Sequence, residues 1–536
     1  MQGVELVDRE LLDARVLVGH LVAEGSMFEF LAEHRQDLFP DAEFEDLFPS
    51  GKGRPSMPAS VMASILVLQS LHDFSDRETA EAARCDLRWK VATGMALDDA
   101  GFDASTLVYW RRRLAKSERP HRINDAVKNV IEQTGILRGR RKRAVDSTIL
   151  ADAVATQDTV TQLISAIRRV GRQVPGAAVQ IAAVCTGHDY GQPGKPSIDW
   201  EDPGAKDALV SALVNDANAV VAALADAELE GDAQFAVALL ALLAGQDVEP
   251  AEGSDGTDGR WRIARKVAPD RVVSTVDPDA RHTRKSPENR RDGYRAHVAA
   301  EPQTGIITDE ALTKAAGAEN SDPAVAERFV AAETTNATAD SQHATPDDTN
   351  AREWYGDSAY GTGELREVIA GAGQVAVLKP KPLPVAVAGG FTVDDFTVDH
   401  QAGTVGCPGG HTRPISTTGV ATFGALCGTC PLRGRCTTSK TGRKLVVGDH
   451  DALLRQARRD WAQDPRLRED YRRHRPNVER VISQLASRGG RRLRLRYLGV
   501  AANNAWLKRR TAALNLRNLI GRGLTRRDGT WALAAT

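Results

Sequence analysis

The sequence predicts a mixed α/β domain with a helical insertion, preceded by an all-helical N-terminal domain. Short β-branched segments alternate with helical segments after residue 138, which is the order expected of a mixed sheet flanked by helices. Helical periodicity with turn signals marks residues 1–120 and 151–262. A chain of 536 residues is also too long for one hydrophobic core, so several units are expected.

In the N-terminal domain, residues 1–120, the pattern predicts helices over Val61–Leu71, Asp76–Thr93 and Asp103–Ala115. The third of these begins with hydroxyl residues after a short turn and is rich in arginine, which is typical of a helix-turn-helix recognition helix. A helical bundle with an exposed basic face fits the pattern equally well. The candidate DNA-binding residues on this helix are Arg111, Arg112 and Arg113.

The first strand of the α/β domain is predicted within residues 138–150, with Asp146 at the centre of its apolar run. A carboxylate in an apolar strand needs a partner, because burying an unpaired charge is costly. Arg143 is one candidate for an ordinary ion pair. Residues 151–262 are predicted as the helical insertion, closed by a mobile acidic, Gly-rich linker over Gln246–Arg260.

Residues 263–385 are predicted to form the core of the α/β domain. A strand ends at Asp357, where Gly356 and the residues that follow make a tight exit into a helix. The other predicted elements are a strand Arg271–Val276, a hairpin Gly293–Ala300 and Gly305–Leu312, a helix Asp322–Ala332, a polar loop to Asn350, a helix Gly363–Ile369 and a strand Gln374–Leu378.

Residues 386–450 form a Cys-rich insertion. Four of the six cysteines fall within 30 residues, a clustering that indicates metal binding rather than a disulfide framework. A tetrahedral zinc ion needs four ligands, so a zinc knuckle is predicted, with unliganded thiols and an iron-sulfur cluster as alternatives. The candidate ligands are Cys407, His411, Cys427, Cys430 and Cys436.

The C-terminal segment, residues 451–528, is strongly basic, with 21 Arg and Lys against seven Asp and Glu, although the whole chain has a net charge of −1. Such segregation implies a polyanionic partner. Glu479 falls in the first turn of a helix that begins near Pro476 and stops at Gly489-Gly490. Considered alone, Glu479 fits an ordinary exposed residue paired with Arg475.

Three acids in separate segments stand out, namely Asp146, Asp357 and Glu479. Side chains from separated segments converge at strand ends in α/β sheets. Clustered carboxylates suit Mg²⁺ or Mn²⁺, and two such ions can activate a water molecule and stabilise the leaving oxygen of a phosphodiester. Arg475 and Arg480, on the same predicted helix as Glu479, are candidate phosphate ligands.

These residues resemble the motifs of bacterial insertion-sequence transposases of the DDE type, whose catalytic domain has the ribonuclease H-like fold. The similar stretches are Val145–Thr148, Gly356–Gly361, Arg475–Arg480, Arg284–Ser286 and Asp292–Arg295. The segment near residues 40–117 also resembles the N-terminal DNA-binding region of that family, so the resemblance covers nearly the whole chain.

The resemblance implies that Asp146, Asp357 and Glu479 are a catalytic triad that binds two Mg²⁺ ions. It implies cleavage and strand transfer at the terminal inverted repeats of the element, by a homodimer or larger assembly on double-stranded DNA. A related group has Tyr, Arg and Lys spaced around the Glu. Here Arg475 matches, whereas Tyr471 is one residue out of step and Ala486 replaces the Lys. A non-catalytic, domesticated DNA-binding protein and a general nuclease are the alternatives.

The sequence also argues against other classes of protein. No apolar run approaches the about 18 residues needed to span a bilayer, and the first ten residues lack a basic-then-apolar leader. No Gly-rich phosphate-binding loop is found, so no nucleotide cofactor is expected. The expected location is the bacterial cytoplasm, in association with the nucleoid.

Overall fold

The computed structural model describes residues 1–4, 12–53, 55–192, 194–266, 268, 270–286, 289–340 and 351–534, with the backbone alone for 284–286, 289–290 and 336–340. Most of the polar loop predicted before Asn350 lies outside these residues. In the part of the chain that is described, no helix is both long and apolar enough to cross a membrane.

The N-terminal part of the described chain is helical. Its helices are α1 (Ala14–Val18), α2 (Met27–Leu38), α3 (Ala59–His72), α4 (Asp76–Cys85), α5 (Leu87–Thr93), α6 (Ser105–Lys116) and α7 (Arg122–Thr134). The prediction of one continuous helix over Asp76–Thr93 is wrong. Asp86 has extended backbone angles and its side chain accepts the N–H of Arg88, so it caps a new helix and breaks the run.

The helical insertion follows the first strand, β1 (Lys142–Ala151). Its elements are α8 (Thr159–Gln173), α9 (Ala177–Val184), α10 (Pro203–Ala223), α11 (Gly231–Gln246), β2 (Val248–Pro250) and β3 (Trp261–Ile263). The four helices share a hydrophobic core of their own, to which Leu163, Leu213 and Leu240 contribute.

The prediction of a mobile linker over Gln246–Arg260 is wrong. β2 and β3 pair antiparallel and close the segment into a small hairpin. Its acidic residues are held by neighbouring arginines, since Arg260 Nε donates to Asp258 at 2.6 Å and Arg262 Nε donates to Glu249 at 3.0 Å. Local ion pairs therefore order a stretch whose composition alone favours disorder.

One six-stranded mixed sheet forms the centre of the α/β part. The elements that complete it are β4 (Arg281–Ser286), β5 (Asn289–Ala300), β6 (Ile307–Lys314), α12 (Asp322–Asp340), β7 (Glu353–Gly356), α13 (Gly363–Gly371) and β8 (Val375–Leu378). The strand order is β4-β5-β1-β7-β8, with β6 also paired to β5. The strands β1, β7 and β8 run parallel, while β5 is antiparallel to its neighbours. The predicted hairpin is confirmed as β5 and β6.

The strand predicted over Arg271–Val276 is wrong, because this segment makes only an isolated bridge from Val272 to Arg281. Glutamine side chains take the place of a neighbouring strand. The N–H of Val272 donates to Gln246 Oε1 at 2.7 Å, and the N–H of Thr275 donates to Gln157 Oε1 at 2.8 Å.

The Cys-rich segment contains short strands that were not predicted from its sequence. Its elements are β9 (Thr397–Asp399), β10 (Thr404–Gly406), β11 (Thr412–Pro414), β12 (Val420–Thr422), α14 (Arg433–Cys436) and β13 (Lys444–Val446). The first three strands form one small sheet, and β12 pairs with β13. Phe396, Phe423 and Leu445 form its core, together with Cys427.

The basic C-terminal segment is mainly helical. Its elements are α15 (Asp451–Gln463), α16 (Pro465–His474), α17 (Pro476–Ala486), β14 (Ser487–Arg488), β15 (Arg491–Arg492), α18 (Gly499–Ile520), β16 (Leu524–Arg527) and β17 (Thr530–Leu533). Helix α17 ends at Ala486, before the predicted stop at Gly489-Gly490, and these two glycines form the turn between β14 and β15, where both have positive φ. Leu516 and Leu519 of α18 are buried in the same core as the N-terminal helices.

Candidate active site

Asp146 lies on β1, and Asp357 directly follows the adjacent parallel strand β7. Ala144 of β1 is opposite Tyr355 of β7, so the same register continued by two residues sets Asp146 beside Asp357. Asp357 directly follows the end of β7, and its Oδ1 accepts the N–H of Ala359 at 2.8 Å, which makes the predicted tight exit. The position of both acids thus follows from the pairing of two short apolar strands.

Glu479 lies on helix α17, and its side chain extends toward Asp146 and Asp357. Pro476 begins the helix, and Val478, Val481 and Leu485 are buried along one face. Val478 and Leu485 share a core with Val298 of β5, so this face packs on the sheet. Glu479 is on the flank of the helix, with 69% of its side chain exposed.

A polar network that the sequence did not reveal joins the preceding helix to the sheet. Lys142 Nζ, at the start of β1, lies 2.8 Å from Oδ1 of Asp470 on α16. The Tyr355 hydroxyl of β7 also donates to Asp470. Because α16 leads directly into α17, these contacts fix the position of Glu479 relative to the strands. No local sequence motif marks these residues, which are recognised only by their contacts across a partly buried interface.

Arg475 lies at the centre of the three acids. Its Nη2 is 3.2 Å from Asp146 Oδ1 and 3.8 Å from Asp357 Oδ2, and its Nη1 is 3.6 Å from Glu479 Oε1. Arg143, the alternative partner of Asp146, instead pairs with Glu333 at 2.5 Å. The structure therefore brings together all three acids that the sequence singled out, around one buried guanidinium.

Burial and the proximity of the three carboxylates change the pKa of Asp146. Burial raises the pKa of Asp146, the carboxylates of Asp357 and Glu479 raise it further, and Arg475 opposes them. In the described chain, the Nε and Nη1 atoms of Arg475 are buried and donate no hydrogen bond. The site therefore has three hard oxygen donors and a cation with free N–H groups, the two kinds of group that bind metal ions and phosphate oxygens.

The predicted DNA-binding arginines differ in their surroundings. Arg111 Nη2 pairs with Asp76 at 2.5 Å, and Arg113 donates to the Leu47 carbonyl at 3.0 Å, so both are engaged within the N-terminal helices. Arg112 and Arg480 are exposed. The recognition-helix prediction therefore depends mainly on Arg112.

All five candidate zinc ligands line one cavity of about 20 Å³. A Cβ placed on Gly409 would lie 3.1 Å from Cys430 Sγ and 3.6 Å from Cys407 Sγ, so these two thiols face the same point. Cys427 Sγ, in turn, accepts the N–H of Arg443 at 3.4 Å. As the side chains are placed, however, no three His, Cys, Asp or Glu residues of the described chain form a group that could hold a metal ion, here or among the three acids.

Two protein families match parts of the chain. A transposase domain family (DUF772) matches residues 18–113, which include α2 to α5 and most of α6. A transposase DDE domain family matches residues 407–520, a range that contains the Cys-rich cluster, Arg475 and Glu479. No curated protein and no solved structure matches the chain. These two matches, together with the three acids gathered around Arg475, support an insertion-sequence transposase of the DDE type.

Proposed function

We propose that this chain binds the terminal inverted repeats of its own element, cleaves the DNA there, and joins the freed 3′-hydroxyl to target DNA. The observation that carries the proposal is the convergence of Asp146, Asp357 and Glu479 from β1, the β7 exit and α17. Two adjacent parallel strands and a helix that together supply three carboxylates also support a ribonuclease H-like catalytic domain.

The donor set fits divalent metal ions. Asp146, Asp357 and Glu479 offer only carboxylate oxygens, the ligands that Mg²⁺ and Mn²⁺ prefer, and their mutual repulsion favours an added cation. Two such ions, when bound, supply activation of the attacking hydroxyl and charge stabilisation on the leaving oxygen.

The protein itself contributes position and charge. The strand register holds Asp146 and Asp357 together, while the Lys142–Asp470 contact holds α16, which leads directly into the helix that carries Glu479. Arg475 partly offsets the negative charge of the acids and has buried N–H groups available for a phosphate oxygen. Because transposition joins two element ends, we propose that at least two copies of the chain assemble on DNA.

The Cys-rich segment has a structural role in this proposal. We propose that four of Cys407, His411, Cys427, Cys430 and Cys436 bind one Zn²⁺ ion, because all five line the same small cavity. The ion would then hold together a segment whose strands are only three residues long.

The test is Mg²⁺-dependent cleavage of a labelled duplex that carries the element end, compared with a duplex of scrambled sequence. Cleavage at a defined position of the end alone supports the proposal. Binding without cleavage would instead indicate a domesticated DNA-binding protein. Cleavage of both duplexes alike would indicate a general nuclease.

A further inference from the structure

A second basic site lies between α17, α18 and the turn that joins β5 to β6. It is a cavity of about 290 Å³, large enough for several water molecules at roughly 30 Å³ each. Three arginines line it, Arg480 from α17 and Arg517 and Arg522 from α18. We call this cavity the basic pocket.

The basic pocket has an excess of positive charge. Its lining contains no Asp or Glu. No salt bridge to a described carboxylate involves Arg480, Arg517 or Arg522, and all three side chains are exposed to solvent. Three uncompensated guanidinium groups around one cavity form a site for an anion.

Hydrogen bonds hold the walls of the pocket in place. Arg522 Nη2 donates to the Thr304 carbonyl at 2.9 Å, and Asn518 Nδ2 donates to the same oxygen at 2.8 Å. Arg517 Nη2 donates to Gln484 Oε1 at 3.3 Å, which links α18 to α17. Arg522 also donates its Nε to Asn518 Oδ1 at 2.8 Å. In the described chain, the bonds of Arg517 and Arg522 use Nη2 and Nε, so Nη1 of both remains available to a ligand.

The position of the pocket relates it to the candidate active site. Arg480 follows Glu479 directly, so the two side chains point from different faces of α17. At the rim, Arg140 Nη1 donates to Gln303 Oε1 at 2.6 Å, which brings the basic segment before β1 to the same place. Positive charge therefore extends from the segment that leads to Asp146 to the helix that carries Glu479.

We propose that the basic pocket binds a phosphate group of the DNA backbone, away from the bond that is cut. This inference rests on the proposed function and adds a second point of contact for the same DNA. Guanidinium groups donate paired N–H groups to phosphate oxygens, and contacts of this kind fix the register of a duplex. The pocket would set the distance between the bound phosphate and the three acids.

The experiment measures the salt dependence of DNA binding by fluorescence anisotropy, with the full chain and a labelled element-end duplex. Each lost phosphate contact lowers the slope of log K against log salt by about 0.9. We expect Arg517→Gln/Arg522→Gln to reduce the slope by about 1.8. The matched control is Arg172→Gln/Arg265→Gln, which removes two exposed arginines from the helical insertion and the segment that follows it. A slope equal to that of the control would overturn the proposal.

Arg522 also holds the turn at Thr304, so a second pair of variants separates binding from folding. In Arg517→Gln the slope of log K against log salt should fall by about 0.9. In Arg517→Lys both the slope and the melting temperature should match those of the wild type. Loss in both variants, or in neither, contradicts the proposal. If inorganic phosphate raises the melting temperature of the wild type but the DNA slope of Arg517→Gln is unchanged, the pocket binds free anions and not DNA.

The proposal for the basic pocket and the proposed function can be rejected independently of each other. Cleavage of the element end by the wild type, together with an unchanged slope in Arg517→Gln, would reject the pocket alone. A reduced slope in Arg517→Gln, together with no cleavage of the element end by the wild type, would support the pocket and reject the proposed catalysis.

Discussion

Nη2 of Arg475 lies 3.2 Å from Oδ1 of Asp146, at the point where three segments distant in sequence meet. The same guanidinium also lies within 4 Å of Asp357 and Glu479. An internal cation thus compensates a cluster of carboxylates that would otherwise repel each other.

We predict that Arg475→Gln destabilises the metal-free protein. Asp146 then loses its buried partner, and the free energy of unfolding should fall by about 2 kcal/mol, the scale of a charge-assisted hydrogen bond. Mg²⁺ should raise the melting temperature of the variant more than that of the wild type, because no internal cation competes for the carboxylates. Thermal unfolding with and without Mg²⁺ measures both effects.

Arg475→Lys is the matched control, since it keeps the charge but loses the planar fork. Its response to Mg²⁺ should lie between the other two. An identical response in all three proteins would show that Arg475 does not share the site of the metal.

Asp152 predicts a pH dependence of stability. Burial raises its pKa from 3.8 to about 6, and the neighbouring carboxylates of Asp277 and Asp292 add to the effect. The folded chain then holds a proton that the unfolded chain has lost, so this contribution is complete below about pH 4 and disappears as the pH rises to about 6.

The measurement is the unfolding free energy of Asp152→Asn between pH 4 and pH 6. The variant should lose less stability than the wild type over this range, because its amide does not titrate. Asp226→Asn, on an exposed side chain, should follow the wild type. If Asp152→Asn also follows the wild type, the raised pKa is wrong.

Two neighbouring arginines of α6 should behave differently. Arg111→Gln breaks the pair with Asp76 and should lower the melting temperature, with little change in the salt slope of DNA binding. Arg112→Gln should leave the melting temperature unchanged and reduce the salt slope by about 0.9, because Arg112 is exposed. The opposite pattern would place the DNA on another face of the N-terminal helices.

The cysteine cluster predicts about one zinc per chain in protein purified without chelator, measured by elemental analysis. Cys430→Ser should lose the metal and lower the melting temperature, and a strong chelator should do the same to the wild type. Cys85→Ser, outside the cluster, should keep its zinc. A wild type that contains no zinc would support the alternative of unliganded thiols.

The parts of the site that are encoded locally could be predicted from the sequence. Asp146 lies in a short β-branched run, Asp357 comes just before Gly361 at a strand exit, and Glu479 follows a proline at a helix start. The central role of Arg475 in pairing with all three acids could not be predicted, because it depends on how β1, β7 and α17 pack together.

The incorrect secondary-structure predictions have the same cause, namely contacts between segments that are not visible in the local sequence. The segment Arg271–Val276 has the composition of a strand, but glutamines from distant helices take its N–H groups. The segment Gln246–Arg260 has the composition of a linker, but arginine pairs order it. The basic pocket could not be predicted either, since its three arginines come from two helices.

The measurement that tests the central claim most directly is Mg²⁺-dependent cleavage of the element-end duplex by the wild type and by Glu479→Gln, with binding followed in parallel. The account predicts that both proteins bind equally and that the variant cleaves at least about 100-fold more slowly, the scale for losing an electrostatic contact to the transition state. Equal cleavage by the two proteins would contradict the assignment of Glu479 as the third acid.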